Sequence, residues 1–293
     1  MIGELAGLAA AVSFGLSTVL ARRFMPAVSP EAGVLVSIVT NVVAFGVASV
    51  AMAMGGLLPP IAPWSLVLFV SGGLLGTLVG RNLSYQSLSR IGASLTVTVR
   101  LSNGIFSLLI GFVLLREFPR LLQLLGMAGV TLGLWLSVQS DDPPDGVRRQ
   151  VDPGGVLMAL ASAAAFALGD TARRAGLHLT PAPIVGAAIG ATAAMLAHLV
   201  WSVFNRAARW PPGAALRRFD VGASAILNTA AILLLYIGLQ HAPVAIVSVL
   251  YNLQVLVVLL TGPLVLRGQE QLTAKIAVGA LVALAGATLI LIG

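Results

Sequence analysis

The sequence predicts an all-α membrane protein with ten transmembrane helices, arranged as two inverted five-helix repeats. Three observations lead there. The 293-residue chain is 58% hydrophobic and only 9% charged, whereas a soluble domain carries about 25% charged residues. With a mean hydropathy of +1.00, it needs a bilayer as solvent for its apolar side chains. Ten apolar runs are long enough to cross that bilayer, each near the roughly 20 residues a spanning helix needs. The two halves of the chain also match in register.

Taken in order, the runs fall at 2–20, 33–54, 64–87, 94–115, 121–138, 155–173, 184–204, 220–239, 244–265 and 272–292. The first opens Met1-Ile2-Gly3-Glu4, without a basic n-region, so it reads as a mature helix and not a cleaved leader. The third carries Gly72, Gly76 and Gly80, a spacing that admits a neighbouring backbone. The fifth and tenth are almost wholly apolar or small, which suits packing and lipid contact. None alternates in polarity as a barrel strand of about 9–11 residues must, so a β-barrel is excluded. Pro26, Pro30, Pro59, Pro60, Pro119, Pro143, Pro144, Pro181, Pro183, Pro211 and Pro212 fall between the runs, where a missing donor does no harm. The connections are short, so sequential spans are antiparallel neighbours. The longest polar segment, 139–153, is the natural linker between a first repeat, 1–138, and a second, 154–293.

The repeat rests on particular pairs. Gly3, Leu5, Leu8, Ala9, Ala11, Phe14, Leu16 and Arg22 match Gly155, Leu157, Leu160, Ala161, Ala163, Phe166, Leu168 and Arg174 at a constant offset of 152. Tyr85, Leu88 and Arg116 match Tyr236, Leu239 and Arg267 at 151; Glu117, Gly126 and Gly133 match Glu270, Gly279 and Gly286 at 153. Five spans per repeat is odd, so the second copy enters the membrane inverted.

The ten spans, the duplication, the repeated pattern of Glu, Gly nine positions on and Gly seven positions further at Glu117 and Glu270, and the first-helix pattern ending Phe14-Gly15 and Arg22-Arg23 together resemble the EamA-like branch of the drug/metabolite transporter superfamily. The resemblance covers almost the whole chain and implies a secondary transporter in the bacterial inner (cytoplasmic) membrane, with both termini cytoplasmic. Where such proteins often carry a proline inside spans four and nine, this chain has Asn103-Gly104 and Gln254-Val255. Loop charge points the other way on orientation. The loops after spans one, three, five, seven and nine hold Arg22, Arg23, Arg90, Arg148, Arg149, Arg206, Arg209, Arg217, Arg218, Arg267 and Lys275, against Arg116, Arg120, Arg173 and Arg174 after spans four and six. The positive-inside rule would put the termini outside.

Ionisable side chains inside a bilayer are functional candidates, because burying them costs several kcal/mol unless they are paired or hydrated. Arg81 lies in the second half of span three with Tyr85 one turn on, and Arg100 lies early in span four with Asn103 at i+3. Antiparallel packing brings both guanidiniums near one membrane face, and a guanidinium flanked by hydrogen-bonding groups suits a carboxylate or phosphate. By repeat offset Arg81 corresponds to Ile232 and Arg100 to Tyr251, so the arginines break the symmetry as a ligand site would; the competing reading is snorkelling toward the interface. Tyr236, Tyr251 and Asn252 are the second-half candidates, for substrate contact or for helix adhesion. Asp170 is the candidate for proton coupling, against a plain helix-end ion pair with Arg173 and Arg174 at i+3 and i+4. Glu4 suits a helix N-terminus. Trp201 and Trp210 with Arg206, Arg209, Arg217 and Arg218 read as an interfacial belt.

Several classes fall away. His178, His198 and His241 show no metal-ligand spacing, no Gly-rich Lys-Ser/Thr phosphate loop is present, and no concentrated basic face favours nucleic acid. The net charge of +7 suits anionic headgroups. No cofactor is implied; the partners are the bilayer, a small-molecule substrate and, through Asp170, protons. The leading reading is a non-ATP-driven transporter of a small anionic or zwitterionic metabolite such as an amino acid. A carrier of lipophilic or cationic compounds, a membrane scaffold and a lipid-acting intramembrane enzyme are the alternatives.

Overall fold

The structure, a computed structural model, describes residues 1–24, 30–91, 93–138, 152–204, 218–265 and 274–293. Most of the linker, with Arg148 and Arg149, and also Arg206, Arg209, Trp210, Arg217, Arg267 and Glu270, lies outside the described residues. Among the described residues, ten helices are long and apolar enough to cross a membrane. They are α1 (Ile2–Phe24), α2 (Pro30–Met54), α3 (Pro63–Ile91), α4 (Leu95–Leu115), α5 (Leu121–Val138), α6 (Pro153–Leu179), α7 (Pro183–Phe204), α8 (Phe219–His241), α9 (Val244–Gly262) and α10 (Ala274–Ile292). Large apolar side chains such as Val47, Trp64, Val113, Phe219 and Leu281 are exposed on the bundle's outside, which is the expected dress of a lipid-facing surface.

Two helices run further than their apolar runs suggest. α3 continues through a π-helical stretch, Leu74–Gly80, into the polar α-helical segment Arg81–Ile91. α6 runs on to Leu179, so Arg173 and Arg174 belong inside a span and not to the following loop. That removes two of the four basic residues counted after spans four and six. The longer helix has a local cause: Asp152 caps its N-terminus by accepting from the Gly154 amide at 2.9 Å, with Pro153 in the first turn, where its missing N–H costs nothing.

The packing is symmetric under exchange of the halves. α1 packs on α8 as α6 packs on α3; α1 meets α9 as α6 meets α4; and α2–α7, α4–α9 and α5–α10 each pair with their own counterpart. This is the pattern an in-plane pseudo-two-fold axis produces. Single residues obey it. A Cβ on Gly126 would come within 2.6 Å of the Gly286 carbonyl, and one on Gly133 within 2.5 Å of the Gly279 carbonyl. The four glycines that matched in the sequence therefore form one crossing of α5 and α10 whose two ends exchange. Helical continuity breaks at Leu101–Ser102 in α4 and at Leu253 in α9, equivalent places, with i→i+3 bonds such as Ser102 N to Val99 O (3.1 Å) and Leu253 N to Leu250 O (3.1 Å) tightening each break. The breaks occur without a proline.

Candidate functional site

A cavity of about 450 Å³ runs from the bundle centre toward the face opposite the termini. Its wall comes from α1 to α4 and α6 to α9; α5 and α10 contribute none of the described lining residues. Ala21, Gly33, Leu88 and Thr96 line its outer part, and these lie near the helix ends on that face. Its deep part is lined by Asp170, Arg173, Tyr236 and Tyr251.

The deep part is a connected polar network. Arg173 Nη1 donates to Asp170 Oδ1 at 2.6 Å and Nη2 donates to the Gly72 carbonyl at 2.9 Å. Tyr251 Oη donates to Asp170 Oδ2 at 3.2 Å and accepts from Asn103 Nδ2 at 2.7 Å. Ser107 Oγ then links Asn103 Oδ1 (3.2 Å) and Ser248 Oγ (2.9 Å). Asp170 is 1% exposed and Arg173 is 8% exposed. Glycine makes room for this guanidinium: a Cβ on Gly72 would sit 2.7 Å from Arg173 Cγ, and one on Gly76 would sit 2.6 Å from Arg173 Nη2. The Arg173 guanidinium also lies 5.7 Å from the Tyr236 ring centroid, within cation–π range.

Further out, Arg100 Nη1 donates to Ser84 Oγ at 3.2 Å, and its guanidinium lies 4.9 Å over the Phe166 ring. Phe14 meets Tyr251 at 6.3 Å between ring centroids. These two contacts are equivalent by repeat, since Phe14 corresponds to Phe166 and Tyr251 to Arg100. One architecture thus presents a phenol on one side of the cavity and a cation on the other.

Of the residues singled out from sequence, Arg81, Arg100, Tyr236, Tyr251 and Asp170 line this cavity. Asn103 stands behind Tyr251 as its hydrogen-bond donor, and Asn252 is buried but does not line the wall. The Tyr85 side chain lies outside the described residues. Asp170 does not share its carboxylate with both arginines. It takes Arg173, while Arg174 Nε donates to Glu117 Oε1 at 2.6 Å and Arg174 Nη1 to the Leu239 carbonyl. The pair is therefore a cavity-floor feature and not a helix-end one. Arg173 itself was missed as a site residue, because span six was ended at it; the apolar continuation Ala175-Gly176-Leu177 was the available signal. Glu4, by contrast, pairs at the start of α1 with the terminal amine at 2.7 Å.

At the termini side Glu117 forms a clasp between helix ends. The left-handed Arg116 (φ 55°) ends α4 and turns Glu117 inward. Its Oε2 accepts from the Val244 amide at 2.7 Å, satisfying a donor at the start of α9. The carboxylate thereby ties the α4–α5 turn to α6 through Arg174 and to the start of α9, and Arg174 in turn reaches the end of α8 at the Leu239 carbonyl. On the same side, the Ser65 hydroxyl at the start of α3 and the Thr180 hydroxyl just past α6 meet at 2.9 Å. No group of three or more metal-ligating side chains occurs among the described residues.

Comparison with known proteins adds three findings. The sequence profile of the EamA-like transporter family matches residues 1–139 and 153–292. A search of curated proteins found no match. A solved crystal structure of another protein superposes with a TM-score of 0.76 at 20% identity, over 98% of this chain and 94% of that one; a likeness at that identity is one of fold.

Proposed function

The chain belongs to the EamA-like transporter family and is on that account a membrane transporter of small solutes; from this premise we propose that it carries a small anionic or zwitterionic metabolite, such as an amino acid, by alternating access without ATP. One observation carries the proposal. Among the described residues the cavity wall holds three guanidiniums, Arg81, Arg100 and Arg173, and one carboxylate, Asp170. Arginine does not shed its proton, so a positive wall favours a negative ligand group. About 450 Å³ is ample for a metabolite of amino-acid size, and ligand pockets of roughly 300–1,000 Å³ are usual. A cationic solute would meet net positive charge. An intramembrane enzyme would want a convergent acid/base pair, and the carboxylate in the described wall is already held by Arg173.

The inverted repeats support alternating access, because the contacts of one half have counterparts in the other. The arrangement described is open toward the face opposite the termini and clasped at the termini side.

Arg100 is the residue to test. A hydrogen bond to a charged group is worth roughly 1.5–3 kcal/mol, so Arg100→Gln weakens binding of an anionic solute about tenfold or more. Arg100→Lys recovers part of it, because a point charge lacks the planar fork. Transport by proteoliposomes is measured alongside melting temperature. Unchanged affinity in Arg100→Gln refutes the assignment, and lost stability with unchanged affinity returns Arg100 to a structural role.

A further inference from the structure

Arg173 is held as a receptor would be. Its guanidinium has five N–H donors. Nη1 goes to Asp170 and Nη2 to Gly72, while the buried Nε has no acceptor among the described residues. Gly72 and Gly76 fix its place, so the group is positioned before any ligand arrives. Asp170 sits against it as a carboxylate tethered to the neighbouring turn of the same helix. It occupies the position that a carboxylate or phosphate oxygen of a solute would seek.

We propose that Arg173 is the anion receptor of the cavity floor and that Asp170 is its resident competitor, displaced by the solute's anionic group while taking up one proton. The inference rests on the reading of this cavity as the solute site. The exchange balances. A solute carboxylate replaces the Asp170 carboxylate at Arg173; Asp170, left without its cation in a low-dielectric wall, takes a proton from water on the open side. When the solute leaves, Asp170 re-pairs with Arg173 and the proton returns to water. A monoanion and a proton therefore bind and move together, with no net charge.

The groups that face Asp170 from the helices packed on α6 are consistent with this exchange. α9 presents Tyr251, whose hydroxyl, held by Asn103, is placed to accept from a protonated Asp170. α8 presents Tyr236. α4 presents Arg100, one turn away on Phe166, and α3 presents the Gly72 and Gly76 backbone with Arg81 further along the wall. α7 lines the cavity with Ala187, Gly190 and Ala191, none titratable. On α6 itself Arg174 is turned away to Glu117.

The test uses purified full-length protein and three probes: benzoate, succinate and inorganic phosphate. Proton uptake on adding sodium benzoate is followed with a pH dye in weakly buffered solution near neutral pH, and affinity is titrated at several pH values. Wild type is expected to take up roughly one proton per benzoate bound, by linkage, and to bind more weakly as pH rises. Asp170→Asn removes the competitor; it is expected to bind about tenfold or more tightly, without proton uptake and without the pH dependence. Benzoate binding to wild type without proton uptake overturns the exchange and leaves the anionic reading standing; this arm needs no variant to fold. Asp170→Asn that keeps wild-type affinity and pH dependence also overturns it. Failure of wild type and variant to bind any of the three probes overturns both readings.

Discussion

The Glu117 clasp offers a measurement that needs no knowledge of the substrate. Glu117 and Arg174 are each 11% exposed in their ion pair, and the same carboxylate holds the Val244 amide. Opening the termini side must break both contacts. Glu117→Gln keeps the shape, removes the charge and weakens both hydrogen bonds. A charge-assisted bond is worth roughly 1.5–3 kcal/mol against about 1 for a neutral one, so the two contacts together lose about 1–4 kcal/mol in the closed arrangement alone. At about 1.4 kcal/mol per decade, the middle of that range makes the termini side open tenfold or more oftener. The chain has no cysteine, so a single thiol reports without background. Ser248, fully buried one turn inside Val244 and bonded to Ser107, is the place for it. Ser248→Cys is labelled with a membrane-impermeant maleimide from the termini side in proteoliposomes. Labelling is slow with Glu117 intact and at least about tenfold faster with Glu117→Gln; the double exchange Glu117→Arg with Arg174→Glu recovers part of the slow rate. Equal rates in Ser248→Cys with and without Glu117→Gln refute the clasp as a gate.

Two further substitutions separate the cavity floor from the frame. Gly76→Ala places a Cβ 2.6 Å from Arg173 Nη2, so the guanidinium shifts. Overpacking costs roughly 1–3 kcal/mol, and the melting temperature and anion binding should fall together; an unchanged melting temperature contradicts the seating described. Gly133→Leu parts α5 from α10 at the Gly279 carbonyl at a similar cost of about 1–3 kcal/mol. Because no described residue of either helix lines the cavity, the folded fraction should bind anions as before, and a loss of affinity per folded molecule would show the two regions to be coupled.

How much of this could be read from sequence differs by kind of feature. The spans were legible because length and apolarity are one-dimensional properties, and the repeat was legible because Phe14, Arg22, Glu117 and the span-five glycines have partners in register. That Arg81 and Arg100 share a cavity followed from antiparallel neighbours. The seat of Arg173 could not be read. It depends on the backbone of α3 approaching α6 at Gly72 and Gly76, which only the tertiary packing sets. The same holds for Asn103, which looked like a ligand contact and stands behind Tyr251. The breaks in α4 and α9 carry no proline to announce them. The choice of Arg174 for Glu117 over Asp170 rests on a chain reversal at Arg116 that a polar Arg-Glu pair does not reveal.

The most direct test of the central claim is charge selectivity. Wild-type protein in proteoliposomes is assayed by counterflow with size-matched solutes: a monocarboxylate, an amino acid, the corresponding primary amine and its neutral amide. Uptake of the monocarboxylate or the amino acid, lost or sharply reduced in Arg100→Gln, is the predicted result. Accumulation of the amine with no uptake of either carboxylate-bearing solute would contradict the account.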